Sequence, residues 1–505
     1  MDRGIDAANR PARGGGAVIS IGKAIAAGLV ALALAACATV PVVSDAEFST
    51  IERNLDRHIQ VLASDAYGGR RPASEGELLT LAYMRTELSA YGVESGTNDP
   101  ANPWLAPVNL RRTQALDGKL EFAKGRKVFP VTPDKFFAGT QVRRSLLSNA
   151  EIWLAGSADP SQYPREIQGR VVLFIGANSK TSEQRDAAFE AGAAAVMIVV
   201  DDTAQIASLR TSRAQERFIL AGDPLDRLSV YVARDAMTGI FPAGEWEALV
   251  TEAEQPDFMP RTVPLLASIE AASRQRGALS HNLIGRIPGT KTGSGAIILM
   301  GHWDHFGECE TEDAEDRICN GAIDNASGIA SLIELARRLQ EQEPLNRDIY
   351  FLATTAEEWG LLGAKAFIAS PPLPLEEIVA VLNFDSVAIA PRGSPVAFIG
   401  QGETPLDSAV LDAIERSGRP LGSQILADRF LRRQDSWAFL EQGIPAVAIT
   451  SGLGNEDLLQ DFLASRYHNS SDNADGLELG GAVEDLLLHE DLVRELGTVE
   501  RYPRQ

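Results

Sequence analysis

Apolar residues recur at helical spacing soon after the chain's first fifty positions. Ile51, Leu55, Ile59 and Leu62 predict an amphipathic helix over Phe48 to Leu62. A glycine-rich bend follows at Tyr67-Gly-Gly-Arg70, and Glu77 to Tyr91 reads as a second helix. Val108 and Leu110 then suggest a strand. From about Ala115 to Arg274 the texture changes to short strands, with turns at Gly125, Pro133 and Gly156. Within that stretch, residues 169–175 form a continuous apolar run that reads as a buried strand; a helix over 181–191 and another strand over 194–200 follow. From His281 onward strands and helices alternate. Apolar runs at 296–300, 348–353, 378–382 and 446–449 are separated by helical patterns at 326–339 and 360–368. Such alternation predicts an α/β fold, a mostly parallel mixed sheet flanked by helices.

The N-terminus reads as a targeting segment. Arg3, Arg10, Arg13 and Lys23 precede an apolar run from Ala24 to Ala36, too short for a stop-transfer helix. It closes on Leu34-Ala35-Ala36-Cys37, which resembles a bacterial lipoprotein signal with small residues where the peptidase needs them. The expectation is cleavage before Cys37, a lipid on Cys37 and an exported chain anchored on the periplasmic side of a bacterial outer membrane; an ordinary secretory signal cleaved nearby is the alternative. Residues 38–44 read as a tether. Of the three cysteines, the remaining two, Cys309 and Cys319, flank an acidic loop. In an oxidising compartment their spacing permits a bridge, against the alternative of two unpaired thiols.

Composition narrows the partners. The chain has 505 residues, 45% of them hydrophobic, and a formal net charge of −22. A chain this acidic is not built to bind nucleic acid or anionic lipid headgroups, and no nucleic-acid motif is present.

The candidate chemistry lies in five short segments: Gly301-His302-Trp303-Asp304, Asp324-Asn325-Ala-Ser-Gly328, Glu357-Glu358-Trp-Gly360, Asn383-Phe-Asp385 and Tyr467-His468. His302, Glu358 and Asp385 follow predicted strands closely, where open α/β sheets place their sites. Asp324 precedes a helix, whose N-terminus favours anions. Asp324, Glu358 and Asp385 bring three negative charges and His302 and His468 add neutral nitrogens. Two divalent cations and one hydroxide would balance that set, and imidazole with carboxylate and no thiolate suits zinc, with cobalt or manganese as substitutes. Glu357 cannot face the same way as Glu358, so it is the candidate general base. Asp304 is expected to orient the His302 imidazole and Asp472 to do the same for His468. Tyr467 is a candidate donor to a developing oxyanion. Each fragment alone is commonplace; the ordered set at strand ends carries the signal.

These segments, in this order, resemble the co-catalytic di-zinc aminopeptidases, whose relatives include glutamate carboxypeptidase; the matching residues extend to His305 in the first segment and to Glu357-Glu358-x-Gly360-Leu-x-Gly363 in the third. The resemblance implies that Asp324 bridges two zinc ions, with His302 and Asp385 on one, Glu358 and His468 on the other, and Glu357 as catalytic base. It implies a cis peptide at Asp324–Asn325. Residues 156–201 look like part of a protease-associated domain, giving an expected organisation of signal peptide 1–37, catalytic domain 38–115 and 275–505, and insert 116–274. One departure stands out: where many members carry histidine in an Arg-Ser-Asp-His pattern, this chain has Arg433-Gln434-Asp435-Ser436, which bears on substrate choice.

The function so implied is a zinc-dependent exopeptidase acting on peptides, foremost an aminopeptidase that activates water with metal. A carboxypeptidase or dipeptidase of the glutamate-releasing type is the alternative, for which Arg429, Arg432 and Arg433 would supply a carboxylate-binding cluster. A non-catalytic receptor module of the same fold is a third reading, disfavoured because every ligand position is filled.

Overall fold

A computed structural model describes residues 43–156, 163, 167–175, 181–223, 227–255, 258–310 and 313–503. The leader, Cys37 and most of the expected tether lie outside them. The chain divides into two compact units, Met1–Phe48 and Ser49–Gln505; the sheets and the candidate site belong to the second. No helix among the described residues is long and apolar enough to cross a membrane.

The first helix spans Asp45–Leu62, and Ile51, Leu55, Ile59 and Leu62 are all buried as their spacing predicts. The second runs Glu75–Ala90, two residues earlier than its apolar pattern suggests. The reason is local: Ser74 caps it by accepting from the Glu77 amide at 3.4 Å, and the Glu77 carboxylate reaches back to the Ala73 amide.

His58, on the first helix, faces the second and is fully buried. Its Nε2 is 2.9 Å from the Arg57 guanidinium, and its Nδ1 is 2.7 Å from the Tyr83 hydroxyl. Burial, assisted by Arg57, pushes its pKa down to about 3. The unfolded chain takes up this proton near 6.5 and the folded chain only near 3. Stability contributed by neutral His58 is therefore complete above 6.5 and is lost as pH falls through that window, by up to about 1.4 kcal/mol per pH unit. His58→Gln should flatten the fall in urea midpoint between pH 6.5 and 4.5 relative to wild type; parallel curves for the two proteins would refute this account.

The catalytic-type sheet runs, from one edge, Ala397–Ile399, Ala446–Thr450, Ile378–Asn383, Ala296–His302, Asp348–Thr354 and then the far end of Arg261–Ile287. The four strands from Ala446–Thr450 to Asp348–Thr354 are mutually parallel and the flanking two antiparallel. Every residue of Ala296–His302 is buried, which is why that strand reads as an unbroken apolar run: both faces are covered.

Arg261–Ile287 is a single strand of 27 residues, unread in the sequence. Val263, Leu265, Ala267, Ile269 and Ala271 alternate inward over its first half, but the polar run Ser273 to Gly277 interrupts the pattern. It pairs first with Arg144–Leu154 and Lys119–Lys124, then with Leu105–Ala115, and last with Asp348–Thr354. The boundary expected at residue 274 thus falls inside one continuous strand. On its other side Arg144–Leu154, Val171–Ile175, Ala195–Val200 and Ser229–Ala233 lie parallel in sequence. Two apolar layers cover the opposite faces of these strands, one around Phe122 and Trp246, the other around Trp153 and Phe174.

Candidate active site

His302 is the last residue of its strand, and Glu357, Glu358 and Asp385 sit on the turns just past the neighbouring strands Asp348–Thr354 and Ile378–Asn383. Parallel strands put their carboxyl ends on one edge, so residues more than eighty positions apart meet there. Asn325 locks the strand ends together. Its amide nitrogen donates to the carbonyls of Phe384 at 2.8 Å and His302 at 3.3 Å, and its oxygen accepts from the amides of Gly328 and Ser386. The Asp324–Asn325 peptide is cis, as the resemblance implied. A Cβ on Gly328 would lie 2.4 Å from the Phe384 carbonyl, so only glycine lets the following helix approach.

All five expected ligands converge. Asp324 stands between the histidines: Oδ1 is 3.2 Å from His302 Nε2 and Oδ2 is 3.3 Å from His468 Nε2. Asp385 Oδ1 lies 3.7 Å from His302 Nε2, and Glu358 Oε2 lies 3.1 Å from His468 Nε2. Each histidine nitrogen thus faces Asp324 and one further carboxylate. The ligand atoms of His302, Asp324 and Glu358 all fall within 4.8 Å of one another.

This arrangement fits divalent cations. His302 Nδ1 is 3.1 Å from the Asp304 carbonyl; donating there leaves a lone pair on Nε2, aimed at the carboxylates. His468 Nε2 is buried and, though close to two carboxylates, makes no well-aligned hydrogen bond among the described residues; a cation between them would satisfy all three groups. The electrostatics agree. Burial opposes the charged form of His468, but Glu358 and Asp324 outweigh it and hold the imidazole up at about 10. Burial likewise disfavours ionised Asp324, yet His302 and His468 hold it well below the usual carboxylate range. For Glu357 the balance goes the other way: burial, with Asp435 and Glu358 nearby, outweighs the pull of His302 and raises it well above that range. Ala356, Ser386 and His468 all have left-handed φ, between 52° and 60°, so strained backbone stands at or beside three of the candidate ligands.

Asp304 and Asp472 differ from their expected roles. The Asp304 carboxylate is 4.0 Å from His302 Nδ1 and instead accepts from the Glu357 amide at 3.1 Å. It is the backbone carbonyl of Asp304 that meets the imidazole. Asp472 does not touch His468; its carboxylate accepts from the amides of Ile323 and Asp324 at 3.1 to 3.2 Å. It therefore fixes the backbone that carries Asp324. Tyr467 stacks on His468, ring centroids 3.6 Å apart, and lines the same cavity as Glu357 and Asp385. Ser436 is fully buried and does not line the cavity; its hydroxyl donates to Gln434 Oε1 at 2.6 Å, and Gln434 is the residue exposed to the site. Of the three arginines, only Arg433 lines the cavity; Arg432 covers the Trp437 ring.

Three residues were not read as site residues. His305, fully buried, places Nδ1 2.7 Å from Glu358 Oε1; it stands in the quoted first segment, two past Trp303, and that adjacency was the available signal. Asp435 is pushed up to about 6 by burial and accepts from the Thr354 hydroxyl. Arg70, from the glycine-rich bend, is fully buried and donates to the carbonyls of Trp303 and Gly321 at 2.8 Å, Leu62 at 2.9 Å and Asn320 at 2.5 Å. It ties the first helix to the segments holding His302 and Asp324. Arg70→Met should cost about 3–5 kcal/mol in denaturant unfolding, since it leaves four buried carbonyls without a donor. Arg70→Lys should recover little, because an ammonium cannot reproduce the planar fork; a loss under about 1 kcal/mol would sink the account. Cys309 and Cys319 form a disulfide, with Cα atoms 5.8 Å apart, and the Cys309 sulfur lies 3.7 Å from the His468 carbonyl.

The fold and site together define a class: an α/β domain with a cluster of histidines and carboxylates at the carboxyl edge of its parallel strands. Residues 282–486 match the model of Peptidase family M28. The probable lipoprotein aminopeptidase LpqL of Mycobacterium tuberculosis is 26% identical over 310 residues, covering 58% of this chain and 53% of that protein. A probable leucine aminopeptidase 2 of Aspergillus oryzae is 26% identical over 224 residues, covering 41% of this chain and 42% of that one. The chain thus spans about half the length of these curated relatives. Among solved structures, an aminopeptidase from Aneurinibacillus sp. strain AM-1 shares the fold, with a TM-score of 0.53 and 20% identity over 88% of this chain and 94% of its own.

Proposed function

We propose that the chain is a zinc-dependent aminopeptidase that binds two ions per chain. The observation that carries this reading is Asp324, whose two oxygens each face a different histidine, each histidine having a further carboxylate of its own. In this reading Asp324 is the bridge, His302 and Asp385 complete one site, and Glu358 and His468 the other. The ions, when bound, supply Lewis-acid polarisation of the scissile carbonyl and acidify water. Glu357, held by Asp304 at its amide and raised in pKa by burial, takes the proton of the attacking water and passes it to the leaving amine. Tyr467 offers its hydroxyl to the carbonyl oxygen as charge develops there. Ile389, Ile399, Phe430, Leu453 and Phe462 give much of the cavity an apolar lining, so the residue removed is an apolar one. Residues 116–274 are proposed as a protease-associated insert, and lipidation at Cys37 as the anchor on the periplasmic side.

A glutamate-releasing carboxypeptidase would need a cationic cluster in the cavity, and among the described residues Arg433 is the one cation that reaches it. The test compares leucine 4-nitroanilide with an N-blocked peptide ending in glutamate, using zinc-loaded protein. Cleavage of the anilide is expected; cleavage confined to the blocked peptide would overturn the aminopeptidase reading.

A further inference from the structure

A second cavity lies away from the candidate metal ligands, between the Leu105–Ala115 strand and the 181–233 region. It encloses about 310 Å³, and among the described residues its walls include Arg185, Arg213, Arg217 and Arg227 but no carboxylate. Asp186, just outside, pairs with Arg227 at 2.9 Å and Arg185 at 3.4 Å. Among the described residues no carboxylate pairs with Arg213 or Arg217. Burial and the neighbouring Arg213 push Arg217 down to about 10. Among the described residues these four guanidinium groups share one counter-charge, Asp186, a conspicuous arrangement in a chain whose net charge is −22. Two half-buried cations side by side repel each other and have lost part of their hydration, costs that a bound anion removes. Phe137, Phe189 and Tyr231 form apolar walls that exclude water from such a pairing.

We propose that this cavity is a binding site for a multivalent oxyanion, a small molecule bearing carboxylate or phosphate groups, held by Arg213 and Arg217 with Arg185 and Arg227 adding to the positive field. Guanidinium forks suit both kinds of group, since each offers paired oxygens to parallel N–H donors. The site is placed to be felt at the metal ligands. Trp359, next to Glu358 in sequence, forms part of its wall. An adjoining cavity shares Arg217 and Trp359 and is lined also by Phe306 and His468. The Phe306 ring packs against both Trp359 and His468, at 5.5 and 4.6 Å between centroids.

The test titrates the zinc-loaded full chain with sodium phosphate and, separately, with tricarballylate at constant ionic strength, following heat and tryptophan fluorescence. At least one anion should bind saturably, one per chain, and whichever binds tighter identifies the phosphate or carboxylate source. Affinity should fall at least about tenfold in the Arg213→Met/Arg217→Met protein and stay unchanged in Arg126→Met, an exposed turn arginine. If the double variant does not fold, Arg213→Met alone should weaken binding about threefold. Failure of both anions to bind saturably overturns the proposal. So does equal affinity in wild type and the arginine variants, which would place the anion on the metals instead.

Discussion

Glu357→Gln should retain wild-type zinc content and melting temperature while losing turnover by about 10²–10⁴-fold, the range expected when a positioned general base is removed. The substitution is isosteric, and Glu357 is not among the groups facing His302 or His468 at ligand distance; those places are taken by Asp324, Asp385 and Glu358. Its amide remains held by Asp304, so the backbone turn should not move. What disappears is only the capacity to accept a proton at a buried carboxylate. Zinc analysis and steady-state kinetics on the same preparation separate the roles: activity near wild type would remove Glu357 from the chemistry, and lost zinc would make it a ligand. Because kcat and kcat/KM should fall together, an increase in KM alone would point to substrate binding instead.

Asp324→Ala should have the broadest effect. A terminal ligand serves one ion, whereas Asp324 presents one oxygen to each histidine, so its removal should empty both positions. Zinc per chain should fall below one after dialysis, with turnover lost by more than about 10³-fold. The wild-type chain should be stabilised when loaded, by about 2.7 kcal/mol per ion at a hundredfold excess over the dissociation constant, and the variant should gain little of this. Retention of a single tightly held ion would show that the two positions do not share Asp324.

How much of this was readable beforehand depends on whether the information is local. The strand at 296–302 announced itself because it is covered on both faces, and the helix at 45–62 because only one of its faces is. The five ligands were identifiable as residue types, three of them (His302, Glu358 and Asp385) just past strands and Asp324 ahead of a helix. Their partners were less so. Asp304 and Asp472 were expected to hold imidazoles because they stand two and four residues from histidines, but sequence distance says nothing about where a carboxylate points. Asp472 turns to the amides of Ile323 and Asp324, nearly 150 positions earlier. Ser436 was read as a substrate contact and is found behind Gln434. Arg70 gave no signal, since a lone arginine in a glycine-rich bend is ordinarily solvated; its four carbonyl partners come together only when three separate segments meet. The Gly480–Gly497 helix escaped because its buried face combines apolar residues with Asp485, His489 and Glu490, whose polarity blurs the apolar stripe. Asp485 is buried there because Arg419 and the Ser451 amide satisfy it.

The alternation of strands and helices, the chemical identity of the donor set and its charge balance were all present in the chain before folding, because these follow from residue types and their near-neighbour spacing. Tertiary structure alone decided which oxygen of Asp324 faces which histidine, which buried groups position the ligands, and that four arginines share one cavity. Those outcomes depend on side-chain directions across strands and loops distant in sequence, set by how the sheet orders its strands and by the need to pair every buried polar group.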